Sequence, residues 1–365
     1  MIGPVLGTIP PFPICSQTRF PLRYCTKHSF SAQRSRHTSS LLKPPLRLGL
    51  ILARKSQVPP SAAQRRCNPF FFIMTAPTIF AATATWEKII WKGEVAWTST
   101  QGNVQAVVTE PRARLIYLGA SDGSSNLLNA PVPPASPTKD NPWPNLGGHR
   151  FWLGPQTRWI WPPPTEWEYS AARDVTTQDG VLILRHAHRN PEYPAITREY
   201  AWEGNRLRCT ALWPDDGRPY FGIHVLAVDT PVEITARLEK TAFAPAGLVV
   251  AQIKDLEGPI HLPHPSITLH DQSATVRSGI KTVKLGFVPQ PLTISRPHGW
   301  SLSVHPGPYS SATSGSPDHG YVSQIWAGDK THDFNELEQL TPYLKGDASG
   351  RCSSTIYLEA VPPGT

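Results

Sequence analysis

The sequence lacks several features that mark common functional classes. It has no run of about 18 consecutive apolar residues and therefore predicts no membrane-spanning helix. Only two of its five cysteines, Cys209 and Cys352, lie beyond residue 73, and two cysteines so far apart do not indicate a disulfide framework. A glycine-rich phosphate loop, a Gly-x-Ser-x-Gly elbow and a dinucleotide fingerprint are also absent. These absences argue against membrane proteins, nucleotide-dependent enzymes and α/β-hydrolases.

Acidic residues are missing altogether from the first 73 residues, which carry eleven Lys and Arg. Subtracting these eleven from the totals leaves 24 basic and 27 acidic residues in the rest of the chain, so the net charge of +8 comes from the tail. A mildly acidic body argues against binding of a phosphate backbone by the folded part. The sequence therefore predicts no nucleic-acid partner.

Residues 1–75 have no sustained apolar period and are predicted to be a disordered tail. Their Arg- and Ser-rich, acid-poor composition is typical of an organelle transit peptide. The sequence slightly favours a second interpretation, in which translation starts at Met74 and the protein is cytoplasmic. In a third, Arg65-Arg66, the apolar run Phe70–Ile73 and the small residues 81–84 form a secretory signal with its cleavage site.

Beyond Thr85 the hydrophobic pattern has a period of two residues and is interrupted by Gly, Pro, Asn and Asp, as in short strands joined by turns. The predicted strands are Val104–Glu110, Arg114–Leu118, Gly180–His186, Ile196–Trp202, Arg206–Leu212, Ile223–Val228, Glu233–Leu238, Leu248–Ile253, Ser266–His270, Thr282–Phe287, Leu292–Ser295, Ser301–Val304, Val322–Trp326, Phe334–Leu340 and Thr355–Leu358. The residues Glu203-Gly204-Asn205 predict a tight hairpin loop. So many short strands cannot lie in one open sheet without splitting. The sequence therefore predicts that residues 76–365 form one all-β domain with two large antiparallel sheets packed face to face and few short helices.

One stretch, residues 141–169 (NPWPNLGGHRFWLGPQTRWIWPPPTEWEY), holds five of the twelve tryptophans. Its prolines and the Gly147-Gly148 pair predict that it forms no helix, and its aromatic content is too high for a solvent loop. Flat indole faces beside charged side chains suit a sugar, which has apolar C–H faces and a rim of hydroxyls. The stretch is therefore predicted to be the floor of a binding cleft; the alternative is that its tryptophans fill a β core.

Four segments resemble galactose mutarotase-like proteins: VVTEPRARLIYLG, NLGGHRFWLGPQ, ITREYAWEGNRLRCTALWPDDG and YVSQIWAGDKTHDFNELEQLTPYLKGD. The resemblance spans about residues 86–358 and is strongest to an uncharacterised, mainly bacterial branch of that group. It implies a β-supersandwich with a sugar-binding cleft. It also implies aldose 1-epimerase-like chemistry without a cofactor. In that reaction a glutamate takes the proton from the anomeric hydroxyl and a histidine protonates the ring oxygen.

The resemblance implies that the general base lies on the strand Phe334–Leu340. Glu336 matches the base if Leu337 is the spacer of the family's Glu-x-Gln pattern, and the other register places the base at Glu338. The two residues are two positions apart, so both side chains are expected on the same face of the strand. The alternative interpretation is an edge strand with its charges in water.

The resemblance implies an acid histidine, and two positions are candidates. His224, in Gly222-Ile223-His224-Val225, lies where the family has a His-x-Tyr-Phe-Asn type motif but lacks the residues that follow the histidine there. His149, beside the glycine pair, matches another histidine of the family. A histidine flanked by aliphatic residues is more often a core histidine with satisfied hydrogen bonds, which is the alternative for His224.

Cations and aromatic side chains complete the predicted sugar site. Arg114 and Arg150 are expected to bind sugar hydroxyls, because a guanidinium offers a planar fork of donors. Their alternative role is a position on the surface or a salt bridge with Glu110 or Glu166. The remaining predicted substrate-binding residues are Trp152, Gln156, Trp159, Trp161 and Lys284.

The histidine pairs His186/His188 and His261/His264 lack further ligands at suitable spacing, so no metal site is predicted. The sequence thus predicts a protein that binds a mono- or oligosaccharide, and it favours an aldose 1-epimerase-like isomerase without a cofactor. The alternative is a non-catalytic carbohydrate-binding module that uses the same cleft.

Overall fold

The computed structural model describes residues 84–132, 138–139, 143–159, 162–187, 190–250, 262–296, 299–313 and 315–364. All of them belong to the compact unit Pro77–Thr365. The tail before residue 84 and the predicted residues Trp161, His188 and His261 lie outside these ranges, as do residues 251–253 of one predicted strand.

Strands make up most of the regular structure in the described ranges. They are β1 (Glu87–Trp91), β2 (Glu94–Gln101), β3 (Val104–Thr109), β4 (Arg114–Ala120), β5 (His149–Gly154), β6 (Ala172–Gln178), β7 (Val181–His186), β8 (Thr197–Glu203), β9 (Arg206–Pro214), β10 (Phe221–Asp229), β11 (Glu233–Arg237), β12 (Val249–Val250), β13 (Ile267–Leu269), β14 (Ser273–Arg277), β15 (Val283–Phe287), β16 (Leu292–Ser295), β17 (Ser301–Tyr309), β18 (Ser323–Ala327), β19 (Phe334–Leu340) and β20 (Arg351–Val361). A single helical turn, α1 (Thr165–Glu168), and two 3₁₀ turns, Gln156–Arg158 and Pro317–Gly320, accompany them.

The strands form three antiparallel sheets. Their orders are β1-β2-β3-β4, then β12-β15-β18-β19-β10-β5, and β13-β14-β11-β16-β17-β20-β9-β8-β7-β6. The six-stranded and ten-stranded sheets pack through one apolar cluster, to which both contribute, for example Leu226, Leu285 and Leu337 from the first and Leu184, Leu302 and Leu358 from the second. Full burial of such a side chain stabilises the folded state by roughly 1.5–3 kcal/mol relative to its exposure to water. The prediction of an all-β fold with large antiparallel sheets packed on each other is confirmed.

Most strands follow the alternating pattern that the sequence shows. Strand β7 alternates half-buried and buried residues along its length, which indicates one face toward the core and one toward the surface. The predicted hairpin is present: Glu203 pairs with Arg206, and Gly204 takes a φ of 63° in the two-residue turn between them.

Five strands were not predicted, namely β1, β2, β5, β6 and β14. Two of them, β1 and β6, lie at the edge of their sheets and expose most of their residues, so their apolar period is weak. Strand β5 gives no alternating signal because all six of its residues are buried.

The glycine pair allows β5 to enter the sheet. Gly147 and Gly148 have φ values of 64° and 69°, in the region that glycine adopts without strain. A Cβ on Gly147 would lie 1.9 Å from the carbonyl oxygen of Asn129, and one on Gly148 would lie 2.3 Å from that of Leu115. Only residues without a side chain therefore let the chain pass between these two backbones.

The prediction that residues 141–169 contain no helix is wrong in one place. Pro164 precedes the single turn α1, in which the backbone N–H of Tyr169 donates to the carbonyl of Thr165. Proline is tolerated at a helix start because the first N–H groups have no partner within the helix. The turn has a structural consequence, since it buries the carboxylate of Glu168.

Candidate functional site

The pairing register of the six-stranded sheet assigns its side chains to two faces. Val225 of β10 lies opposite Arg150 of β5 on one side and opposite Glu338 of β19 on the other. Side chains directly opposite each other in an antiparallel pair point to the same face. We call this the polar face and define it by Arg150, Glu336, Glu338, Lys284 and Gln324. The neighbouring positions along each strand form the inner face, which packs toward the ten-stranded sheet.

Arg150 and Glu336 form a salt bridge on the polar face. The distance from Arg150 Nη2 to Glu336 Oε1 is 2.5 Å, and the exposed fractions of the two side chains are 0% and 14%. Burial opposes the charge on Arg150, but the carboxylates of Glu336 and Glu168 outweigh it and raise the pKa of the guanidinium. The Nε and Nη1 groups of Arg150 are buried and make no hydrogen bond within the described ranges. The guanidinium therefore keeps donors for a further oxygen-bearing group.

Lys284 and Glu338 form a second pair on the same face. Lys284 Nζ lies 2.9 Å from each carboxylate oxygen of Glu338, and only 15% and 5% of the two side chains are exposed. Burial lowers the pKa of Lys284, but the carboxylate of Glu338 prevails and raises it above its ordinary value. The ammonium group therefore stays charged at neutral pH.

Aromatic rings flank these charges. The guanidinium carbon of Arg150 lies 5.6 Å from the ring centroid of Trp143 and 5.1 Å from that of Trp152, within the range of cation–π attraction. On the other side of Glu336, Trp326 lies opposite it on β18 and packs against Phe334, with ring centroids 5.3 Å apart. The polar face thus combines paired charges with indole rings on both sides.

The two candidate acid histidines lie on the inner face. His149 Nε2 and His224 Nδ1 are 3.0 Å apart, and His224 Nε2 lies 2.8 Å from Ser354 Oγ on the ten-stranded sheet. Burial lowers the pKa of His224 to about 3 and that of His149 well below its ordinary value. Both rings are therefore neutral at physiological pH, with His224 fully buried and His149 2% exposed.

This arrangement places the predicted glutamates and the predicted histidines on opposite faces of one sheet. A single sugar ring would have to contact Glu336 or Glu338 and also His149 or His224, but the six-stranded sheet lies between the two pairs. The alternative that the sequence offered for His224, a core histidine with satisfied hydrogen bonds, describes its observed environment.

Arg114 has a structural partner that the sequence did not indicate. Its Nη1 lies 2.8 Å from Glu168 Oε1, with both side chains fully buried, so the partner is neither Glu110 nor Glu166. Trp152 Nε1 donates to the other oxygen of Glu168 at 2.9 Å. Arg114 therefore holds the turn α1 against the sheets and does not lie on the polar face.

The tryptophans of residues 141–169 are mostly core residues. Trp152, Trp159 and Trp167 are at most 5% exposed and belong to one apolar cluster, and Trp159 Nε1 donates to the carbonyl of Leu153. Gln156 is exposed on a 3₁₀ turn. The alternative of a β core is thus correct for these three rings, whereas Trp143 is half-buried beside Arg150.

Three residues of this region were missed by sequence reasoning. Gln324 and Trp326 alternate on β18, so the period-two pattern that predicted the strand could also have assigned them to the face of Glu338 and Glu336. Glu168 gave no comparable signal, because its role depends on the short helical turn within a proline-rich stretch.

Within the residue ranges that the structure describes, no group of three His, Cys, Asp or Glu side chains has an arrangement that could hold a metal ion. None of the helices in these parts has the length and apolar composition needed to cross a membrane.

No protein-family model and no curated protein matches the sequence. A TPR-domain containing protein from Parabacteroides distasonis matches in fold with 11% identity and a TM-score of 0.47 over 73% of this chain; the chain spans about half of that protein, 47%. A galactose mutarotase-like protein from Lactobacillus casei matches with 13% identity and a TM-score of 0.46, covering 73% of this chain and 99% of that one. A galactose mutarotase related enzyme from Lactobacillus acidophilus matches with 9% identity and a TM-score of 0.41, covering 73% and 98%. Proteins named as mutarotase-like are thus among the solved structures that this chain distantly resembles, and at these values the likeness concerns the fold alone.

Proposed function

We propose that the protein binds a neutral carbohydrate on the polar face of the six-stranded sheet. The observation that carries this proposal is Arg150, whose guanidinium is fully buried yet has two N–H-bearing groups, Nε and Nη1, without a partner in the described ranges. Buried donors in native proteins nearly always have a partner, so donors left open at a site favour a ligand that supplies oxygen atoms.

The surroundings of Arg150 suit a sugar better than a fully apolar or strongly charged ligand. The cations Arg150 and Lys284 each already have a carboxylate partner, so the polar face offers no excess of positive charge for an anion. The carboxylates of Glu336 and Glu338 can accept hydrogen bonds from hydroxyl groups. Trp143 and Trp326 offer flat apolar surface for the C–H face of a sugar ring.

The finer proposal concerns catalysis, and here the geometry supports the non-catalytic module better than the epimerase. Glu336 lies on the polar face, where it could act as a base on a bound sugar ring. The acid that aldose 1-epimerase chemistry requires would have to reach the same sugar ring. His149 and His224 lie behind the sheet and are neutral, so neither reaches that position. Epimerase activity would need a proton donor from another part of the chain.

Two measurements on the full chain test the proposal. Isothermal titration calorimetry with a panel of neutral mono- and oligosaccharides is expected to show saturable binding, and Glu336→Gln is expected to weaken it. Polarimetry with freshly dissolved α-D-glucose and α-D-galactose then separates the two classes. We expect no acceleration of anomer equilibration by the wild-type chain.

Glu233→Gln is the matched control, because Glu233 also pairs with an arginine, Arg277, but is exposed on the ten-stranded sheet. This variant should bind sugars as the wild type does. If no sugar in the panel binds, or if Glu233→Gln weakens binding as much as Glu336→Gln, the proposed site is wrong. Acceleration that Glu336→Gln abolishes would favour the epimerase instead.

A further inference from the structure

A second arginine, Arg198, has an unusual environment in the interior between the sheets. It lies on β8, is 1% exposed, and has no carboxylate partner within the described ranges. One of its groups, Nη1, donates to the carbonyl of His149 at 2.8 Å. Within the described ranges its buried Nε and Nη2 groups make no hydrogen bond of ordinary geometry, although the hydroxyl of Tyr200 lies within reach of the guanidinium. A buried cation without a counter-charge is costly, by several kcal/mol in typical cases.

The charges around Arg198 leave the surrounding interior positive. Arg114 lies near enough to influence the charge on Arg198, and the nearby carboxylate of Glu168 already accepts from Arg114 and from Trp152. Tyr200 lies beside Arg198, but burial raises the pKa of its hydroxyl, so it carries no charge at neutral pH. Two arginines therefore share one carboxylate in this part of the core.

Two histidines add further N–H groups to the same region. His186, on the neighbouring strand β7, is 5% exposed, and neither ring nitrogen makes a hydrogen bond of ordinary geometry, although the carbonyls of Ala113 and Glu166 lie near the ring. His149 Nδ1 is likewise buried without a partner. Burial, together with Arg198 and Arg114, lowers the pKa of both histidines, so neither adds a full charge.

The hydrogen bonds from Ser354 permit two tautomers of His149, and one of them leaves its proton on Nδ1. If Ser354 Oγ–H donates to His224 Nε2, then His224 Nδ1–H donates to His149 Nε2, and the proton of neutral His149 is on Nδ1. In this tautomer His149 presents a free N–H in the region of Arg198. The open groups of Arg198 and His149, and one ring nitrogen of His186, can then act as donors to an anion.

We propose that Arg198, His149 and His186 bind one small monovalent anion, chloride, in the interior between the six-stranded and ten-stranded sheets. The anion would neutralise the excess charge of Arg198 and accept from the guanidinium and the imidazole N–H groups. Water could satisfy these donors but would leave the charge uncompensated. This site is separate from the proposed sugar site, because the residues that form it lie on the other side of the six-stranded sheet from Glu336 and Glu338.

Thermal unfolding of the full chain tests the proposal. The Tm is measured while sodium gluconate is replaced by sodium chloride at constant ionic strength. Chloride bound only by the folded state should raise the Tm of the wild type by about 5 °C at a hundredfold excess over its dissociation constant. Arg198→Met should remove this dependence. Arg185→Met is the control, because Arg185 is exposed, pairs with Asp174 and should leave the chloride effect unchanged.

A measurement on the wild type keeps the test decisive if Arg198→Met does not fold. Crystals grown in sodium bromide should show an anomalous peak within hydrogen-bond distance of Arg198 Nε or Nη2 and of His149 Nδ1. Water alone at this position, a Tm that is equal in gluconate and chloride, or a chloride effect that persists in Arg198→Met would overturn the proposal.

Discussion

The two faces of the six-stranded sheet carry titratable groups in different environments. On the polar face, Glu336 and Glu338 form salt bridges with Arg150 and Lys284 and keep some contact with solvent. On the inner face, His149 and His224 are neutral and buried between the sheets. Adjacent residues of one strand, such as His149 and Arg150, thus lie in different environments: His149 in the interior between the sheets and Arg150 at the proposed sugar site.

This difference predicts which residues affect stability and which affect binding. A group on the inner face is buried between the sheets, so its loss leaves a buried partner unsatisfied. A group on the polar face can exchange its partner for a ligand. Changes behind the sheet should therefore lower the free energy of unfolding, and changes on the polar face should mainly lower affinity.

The largest effect is expected for the buried pair of Arg114 and Glu168. Arg114→Met leaves the carboxylate of Glu168 buried without its cation and should lower the free energy of unfolding by about 3–5 kcal/mol. Urea denaturation followed by tryptophan fluorescence measures this loss. The double variant Arg114→Met/Glu168→Leu should recover much of it, because an apolar pair needs no charge partner. A loss below about 1 kcal/mol in the single variant would show that the pair is not sealed from water.

The next effect is a dependence of stability on pH. His224 has a pKa of about 3 in the folded chain, whereas a histidine in an unfolded chain titrates near 6.5. Below pH 6.5 the unfolded chain binds a proton that the folded chain does not, so the free energy of unfolding falls as the pH drops toward 3. The expected loss is about 2–3 kcal/mol between pH 6.5 and 4.5. Above pH 6.5 this histidine makes no contribution to the slope.

His224→Gln isolates this contribution, because glutamine keeps hydrogen-bonding groups but does not titrate. In urea denaturation at several pH values, its slope should be smaller than that of the wild type by about one proton. An unchanged slope would mean that His224 is already accessible to protons in the folded state.

On the polar face, Glu336→Gln should weaken sugar binding by about tenfold to a hundredfold, the range for a hydrogen bond to a charged group. The amide oxygen can still accept from Arg150, so the loss of unfolding free energy should be smaller than in Arg114→Met. Calorimetric titration and urea denaturation of the same preparation measure both quantities. A variant that loses stability but not affinity would place Glu336 with the structural residues.

The smallest effect is expected for Trp326→Ala, which removes one aromatic ring from the polar face. Affinity should fall by about threefold to tenfold, as for the loss of one ring contact. Trp91→Ala is the matched control: this half-buried ring packs against Tyr117 on the separate four-stranded sheet. Equal losses of affinity in both variants would argue against a site near Trp326.

The sequence was informative about the positions of strands and about which side chains of one strand point to the same face. The alternation in Phe334–Leu340 predicted the bounds of β19 and the common face of Glu336 and Glu338. The alternation of side chains does not say what covers each face of a strand. Strands β5 and β10 are buried on both faces at almost every position. For that reason the sequence could not place His149 and His224 behind the sheet that carries Arg150. The contact between Arg150 and Glu336 joins strands 186 positions apart, which a local pattern does not reveal.

The most direct test of the account compares His224→Gln with Glu336→Gln in one titration against a sugar that the wild-type chain binds. The account predicts that His224→Gln keeps the wild-type affinity within about twofold, while Glu336→Gln loses at least tenfold. Loss of binding in His224→Gln with full affinity in Glu336→Gln would contradict it, because the ligand would then have to lie between the sheets.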